Sequence, residues 1–176
     1  MKKIYNFLII SLLLIFGSNS IQAEEIKIFY VDIDKIIKES NVGKKINKNI
    51  QSQLKKKNKE WEKIEGSLKK RDADLIKQKN ILSKDELNKK IKLLEKDIQN
   101  YRTEKAKFSQ NISQKKIKAT SEMVVYLNRI LGKYAQDNSA SLIIQKKNII
   151  IGKTEMDITK TVLEIFNKEV KDVKLN

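Results

Sequence analysis

Between Ile46 and Ile112 apolar residues recur every three, four or seven positions, nearly everything between them is polar, and there is no proline. The first run is Ile46, Ile50, Leu54, Trp61, Ile64, Leu68 and Leu75, in steps of 4, 4, 7, 3, 4 and 7. At about 3.6 residues per turn these positions form one straight seam on a helix. The second run is Leu87, Ile91, Leu94, Ile98, Tyr101, Phe108 and Ile112, and it begins as a heptad pattern. Two long helices, each with one narrow apolar stripe, bury those stripes most economically against each other. That requires a reversal between Leu82 and Leu87. The intervening Ser83-Lys84-Asp85-Glu86 has the form of a capping box: the serine oxygen accepts from a backbone N–H three residues on, and the glutamate reaches back. A helix has no use for such a cap unless it begins there, so the tip of a helical hairpin is expected near residues 82–87. Each arm helix of about 35 to 40 residues would be on the order of 55 Å long. Glu65 and Lys69, Asp85 and Lys89, and Glu86 and Lys90 stand at the favourable i,i+4 spacing off the seam. Gly66 is either a flexible point in the first helix or a tolerated surface glycine.

The flanks read differently. Ile26 to Val31 is a β-branched and aromatic run of strand length, after which Asp32 or Asp34 offers a cap for a short helix through Ile36 and Ile37. The same two carboxylates could form a catalytic pair, but caps and turns use this residue type far more often. The second arm helix leaves the arm through Met123, Leu127, Ile130, Leu131 and Tyr134. Ser141 to Gly152, "SLIIQKKNIIIG", reads as two strands joined by Gln145 to Asn148. "DITKTVLEIFNKEV" reads as a helix capped by Asp157, with Val162, Ile165, Phe166 and Val170 along one face. The fold class is thus α+β, mostly α. A head formed by residues 24–43 and 119–176 carries an arm formed by residues 44–118. Such a small head, with very apolar strands, needs partners, and other copies of the same chain are the expected source.

Lys2 and Lys3, the apolar run Phe7 to Phe16, and a polar stretch ending at Ala23 have the three-part form of a cleaved secretory signal over residues 1–23. An uncleaved membrane anchor is the competing reading, although the apolar run is about half the ~20 residues a spanning helix needs. The chain has no cysteine, which permits an oxidising compartment and excludes disulfides. Export of this type points to the periplasm, where ATP is not available from solution.

The formal charge is +16 overall. Residues 44–118 hold 24 Lys/Arg against 10 Asp/Glu, whereas the rest of the chain beyond residue 23 holds 12 of each. With only three arginines, the choice of lysine over arginine is what A/T-biased codon usage would give. Codon bias does not explain why the excess is confined to one segment, so the charge counts as functional evidence.

Chemistry is thin. The chain has no histidine and no cysteine, which removes the usual general base, thiol nucleophile and most zinc ligand sets. Gly43-Lys44 falls short of a phosphate loop, because Lys45 stands where Ser or Thr belongs and Lys38 where the first glycine belongs. Neither an enzyme nor a cofactor or metal site is expected.

The first strand "IKIFYVDIDKII", the basic helical hairpin and the closing "SLIIQKKNIIIGKTEMDITKTVLEIF", with Asp157, Ile158 and Thr159, together resemble the Skp/OmpH family of periplasmic chaperones. That resemblance implies a jellyfish-like homotrimer, with a trimerisation head of strands from three chains and three helical hairpins as tentacles. It also implies ATP-independent binding of unfolded outer-membrane β-barrel proteins, and an association with lipopolysaccharide whose site residues do not map onto this sequence. On this basis the expected client-binding residues are Lys55, Lys56, Lys57, Lys69, Lys70, Arg71, Lys77, Lys79, Lys89 and Lys90, with the apolar Ile76 and Ile81. Ile117 is a further apolar residue off the seam. The expected oligomerisation set is Ile26, Ile28, Val31, Leu142, Ile143, Ile144, Ile149, Ile150 and Ile151. Asp157 is the helix cap, and Ser83 and Glu86 mark the arm tip. The alternative is a structural coiled coil that binds lipopolysaccharide, an anionic membrane surface or another envelope polyanion. Nucleic-acid binding suits the basic arm but conflicts with the export signal.

Overall fold

The computed structural model describes residues 26–174; the expected signal segment, 1–23, lies outside them. In chain order the elements are β1 (Ile28–Val31), α1 (Ile33–Glu39), α2 (Asn41–Gln78), α3 (Lys84–Asp137), β2 (Leu142–Gln145) and α4 (Thr159–Glu169), with short 3-10 turns at Lys146–Asn148 and Thr154–Met156. Helices α2 and α3 have 38 and 54 residues, about 57 and 81 Å at 1.5 Å per residue. They run antiparallel as a hairpin. Helix α3 continues unbroken past residue 118, so arm and head share one helix rather than meeting at a joint.

Strands β1 and β2 pair in parallel, Ile28 with Leu142 through Val31 with Gln145. Parallel neighbours need a crossover connection, and here the crossover is the whole arm. The core lies beneath this pair: Val31, Ile36, Val42, Ile46 and Ile50 meet Ala119, Met123, Leu127 and Ile130 of α3 and Val162 and Phe166 of α4. Phe166 and Leu127 are completely buried, each stabilising the head by roughly 1.5–3 kcal/mol. Beyond α4, Val170 and Val173 are buried in the same cluster. This last stretch grips the root of α2: the Asn41 N–H donates to Asn167 Oδ1 at 2.7 Å, and Lys45 Nζ lies 2.8 Å from Asp172 Oδ1.

Local chemistry sets the corners. Asp32 caps α1, its Oδ1 accepting from the Lys35 N–H at 2.9 Å, while its own N–H donates to Thr159 Oγ1 at 2.9 Å. Ser40 closes α1 through its N–H to the Ile36 carbonyl and opens α2 by accepting from the Gly43 N–H. The two helices approach so closely here that a β-carbon on Gly43 would stand 1.8 Å from the Ile37 carbonyl oxygen. The glycine resembling a phosphate loop is therefore a steric requirement of the corner.

Two expectations need correcting. Ser141 to Gly152 is not a pair of strands: Leu142–Gln145 is one strand, and Ile149, Ile150 and Ile151 lie outside any strand. After β2 the chain makes a 3-10 turn, in which Lys146 lies 2.6 Å from Asp157 and over the Tyr30 ring. Gly152 then packs against that ring, where a β-carbon would come within 2.9 Å. The segment is thus drawn across β1 instead of turning back along β2. Asp157 also sits one place earlier than an ordinary cap. The N-cap position is Ile158, and Asp157 Oδ1 accepts from the Thr159 N–H at 3.0 Å. Burial acts to raise the Asp157 pKa, but the Lys146 ammonium and the Thr159 hydrogen bonds outweigh it and hold the carboxyl below its ordinary 3.8.

At the tip, the chain turns through residues 79–82 and restarts at Ser83, whose Oγ accepts from the Glu86 N–H while Glu86 Oε2 accepts from the Ser83 N–H, both at 3.3 Å. The Ser83 hydroxyl also donates to Glu86 Oε2 at 2.7 Å. These hydrogen bonds hold the Glu86 carboxyl below its ordinary 4.5.

Gly43→Ala is expected to destabilise the fold by about 3 kcal/mol and lower the melting temperature by on the order of 10 °C. Gly66→Ala, where an added β-carbon meets nothing, should stabilise by up to about 1 kcal/mol. Thermal melts followed by circular dichroism check both. Replacing Ser83 and Glu86 with alanine should cost about 1 kcal/mol locally, read as faster amide exchange at residues 83–90 with the head unchanged. Because Glu86 is more acidic in the folded tip than in an unfolded chain, its contribution is complete above pH 4.5 and lost as the pH falls through its lowered value. Tip exchange in the unmutated protein should accelerate in that acid window.

Candidate binding surface on the helical arm

One register governs the arm. Gln78 Oε1 accepts from Lys90 Nζ at 3.0 Å, Arg71 Nη1 meets Asp97 Oδ2 at 2.7 Å, and Glu65 Oε2 accepts from the Tyr101 hydroxyl at 3.4 Å. Trp61 packs edge-on against Phe108 with ring centroids 5.1 Å apart, a pairing that adds about 0.5–1.5 kcal/mol to burial alone. Each pair is nearly equidistant from Ser83 and Lys84. The apolar seams therefore face each other, but the seal is incomplete: Trp61 and Leu94 are buried, while Ile64 and Ile91 are exposed. Beside the tip, Leu75, Ile76, Leu87, Ile91, Leu94 and Ile98 line a shallow groove of 370 Å³.

The expected cations divide into two groups. Lys57 pairs with Glu60 at 2.7 Å, Lys69 with Glu65 at 2.9 Å, and Arg71 and Lys90 are engaged across the arm. The hydrogen bond from Lys69 to Glu65, followed by their opposite charges, raises the lysine pKa and lowers that of the glutamate. Such exposed pairs contribute little stability, but they occupy the ammonium groups. Lys55, Lys56, Lys70, Lys77, Lys79 and Lys89 are exposed and have no ion-pair partner among the described residues. Ile76 and Ile81 stand 69% and 80% exposed near the tip.

A pattern that single-residue reading overlooks emerges on the back of α2. Lys48, Lys55, Lys59, Lys63, Lys70 and Lys77 follow one another in steps of 7, 4, 4, 7 and 7. At 3.6 residues per turn they lie opposite the apolar seam, forming a straight row on the order of 45 Å long. All six are exposed and none is in an ion pair among the described residues. Lys48, Lys59 and Lys63 are additions to the expected set. Their signal was in the sequence, as the seam's own rhythm half a turn out of phase.

In the head, Val31 is buried in the core and Ile143 packs against it. Ile28, Ile144 and Ile149 are half-buried, and Ile26 and Leu142 are exposed. Ile150 and Ile151 are 99% and 91% exposed. Asp32 is committed to capping α1. Among the described residues no three His, Cys, Asp or Glu side chains converge as a metal site, and no helix is long and apolar enough to cross a membrane.

Among solved structures, the fold matches an OmpH-like protein from Caulobacter crescentus, named as a candidate outer membrane chaperone, with a TM-score of 0.77 and 16% identity over 86% of this chain and 90% of that one. No curated protein gives a significant match. The family model described as "Outer membrane protein (OmpH-like)" matches residues 27–166, from the first strand through the arm to Phe166 in α4. A basic helical hairpin inserted between two parallel strands, matched by that model over most of its length, makes this chain a member of the OmpH-like family.

Proposed function

We propose that this protein is an ATP-independent holdase of the periplasm, exported by a cleaved signal, that binds unfolded outer-membrane β-barrel proteins between its arms and prevents their aggregation. The observation that carries this reading is the division of labour on the arm: its apolar seams face each other, while the row from Lys48 to Lys77 on the back of α2 is exposed and has no ion-pair partner among the described residues. An unfolded barrel strand alternates apolar and polar residues and, left alone, pairs edge to edge with its neighbours. A long cationic surface attracts anionic clients and holds them by many weak, exchangeable contacts. Release requires no nucleotide, because burial of the client in the outer membrane supplies the free energy. Family membership and the chaperone role named for the Caulobacter crescentus relative support the same reading, and no catalytic step enters it.

Three copies of the chain complete the head. Almost fully exposed Ile150 and Ile151, with Leu142 and Ile26 also exposed, give each chain apolar surface of the kind that soluble proteins cover by association. Three arms hanging from one head would enclose the client.

The row of unpartnered lysines on α2 favours a second reading, in which the arm engages lipopolysaccharide, an anionic membrane surface or another envelope polyanion and chaperones nothing. Light scattering separates the two. Stoichiometric mature protein at low salt should suppress aggregation of an unfolded outer-membrane barrel, and an unchanged aggregation rate removes the holdase reading. Added salt should slow capture, since exposed charges are screened beyond about 8 Å at physiological ionic strength. Native mass should give three chains, and Ile150→Asp with Ile151→Asp should shift the protein to monomers with its helix content retained.

A further inference from the structure

At the root of the arm, where α1, α2 and α3 meet, lies a groove of 330 Å³ that the arm's basic surface does not account for. Its floor is apolar: Ile37, Ile46, Ile50 and Met123. Two exposed amines stand at its rim, Lys38 from the last turn of α1 and Lys116 from α3, and no carboxylate lines it. Among the described residues neither amine has an ion-pair partner. Asn47 and Thr120 also line the groove, and among the described residues their side chains make no hydrogen bond within the chain.

Each component narrows the occupant. The volume is near the lower end of ligand clefts, roughly 300–1,000 Å³, room for one or two side chains and not for a large cofactor. The unopposed amines select negative charge next to an apolar group. An amide and a hydroxyl free to donate and accept match the backbone of an extended peptide, whereas an acyl chain offers them nothing. We infer that the groove is a peptide subsite that takes an apolar residue standing beside an acidic one in an extended segment. The inference rests on the reading of the protein as a polypeptide binder, and makes that binding selective at one fixed place in addition to the diffuse attraction of the arm.

The test uses a short fluorescent peptide, blocked at both ends, that alternates Val or Phe with Asp, and a neutral version with Asn in place of Asp. Anisotropy titrations with the whole mature protein should show the acidic peptide binding about fivefold or more tightly than the neutral one. Lys38→Glu combined with Lys116→Glu should weaken the acidic peptide about tenfold, in line with two lost ion pairs and their reversal. Lys160→Glu with Lys168→Glu, on α4 in the head, should leave binding within twofold. All four positions are exposed, and circular dichroism checks that the variants fold. Equal binding by the Lys38/Lys116 variant overturns the subsite, as does binding of dodecyl phosphate in place of the peptide. A change of native mass in that variant assigns the groove to a second copy of the chain and overturns the subsite as well. Client scattering separates this inference from the broader one. If the unmutated protein fails to suppress aggregation, the holdase reading falls. If it succeeds while peptide binding ignores Lys38 and Lys116, the groove assignment alone falls.

Discussion

The parallel pairing of β1 with β2 is the constraint from which the rest of the molecule follows. Ile28 and Leu142 can be neighbours only if everything between them leaves the head and comes back. A single rod would separate the two strands by its full length, so the pairing and the reversal at Ser83 enforce each other. The root of the arm is then fixed from several sides: Ser40 and Gly43 set the angle at which α2 departs, Asn167 and Asp172 hold its first turns, and α3 runs on into the core through Met123 and Leu127. The position of the arm is thus decided by the head, and its length by the two seams.

Stability is distributed unevenly along this design. The head has a true interior, with Phe166, Leu127 and Val162 fully buried, whereas the arm has only a single layer of contacts between two helices. Midway along it, Trp61 against Phe108 and Arg71 against Asp97 keep the register. Toward the end Leu75 and Leu87 are only half-buried, Ile76 and Ile81 face solvent off the seam, and the capping box at Ser83 closes the turn. Low contact density is what permits local opening at modest free energy. An arm built this way is firm at its root and compliant at its end.

Much of this was legible in residue order because it depends on local rules. The seam from Ile46 to Leu75, its restart at Leu87, the cap at Ser83 and the apolar face of α4 all follow from periodicity and capping within a few residues. What could not be read depends on contacts between distant segments. Leu142 to Ile151 has the composition of two strands, but composition does not name a partner: the first half found β1, and the second was diverted by Lys146, Asp157 and Tyr30. Gly43 resembled a failed phosphate loop until the nearness of the Ile37 carbonyl gave it a reason. The groove between Ile37, Ile46 and Met123 draws on three helices, and no single stretch of sequence announces it. Among the expected client-binding cations, pairing with Glu60, Glu65 and Asp97 separates Lys57, Lys69 and Arg71 from those with no ion-pair partner among the described residues, and only the fold supplies those partners.

The insertion of the arm between the two strands also sets an order of events in folding. Contacts across the hairpin join residues close to the tip first, Gln78 with Lys90 and then Arg71 with Asp97, so the prong can zip from Ser83 inward with small loop-closure cost at each step. The head has no such local start. Val31 and Ile36 must wait for Phe166, Val170 and Val173, and contacts of that sequence separation form slowly unless their ends are already close. A zipped prong brings those ends together, so the part of the molecule with the least interior acts as the template on which the part with the most interior closes.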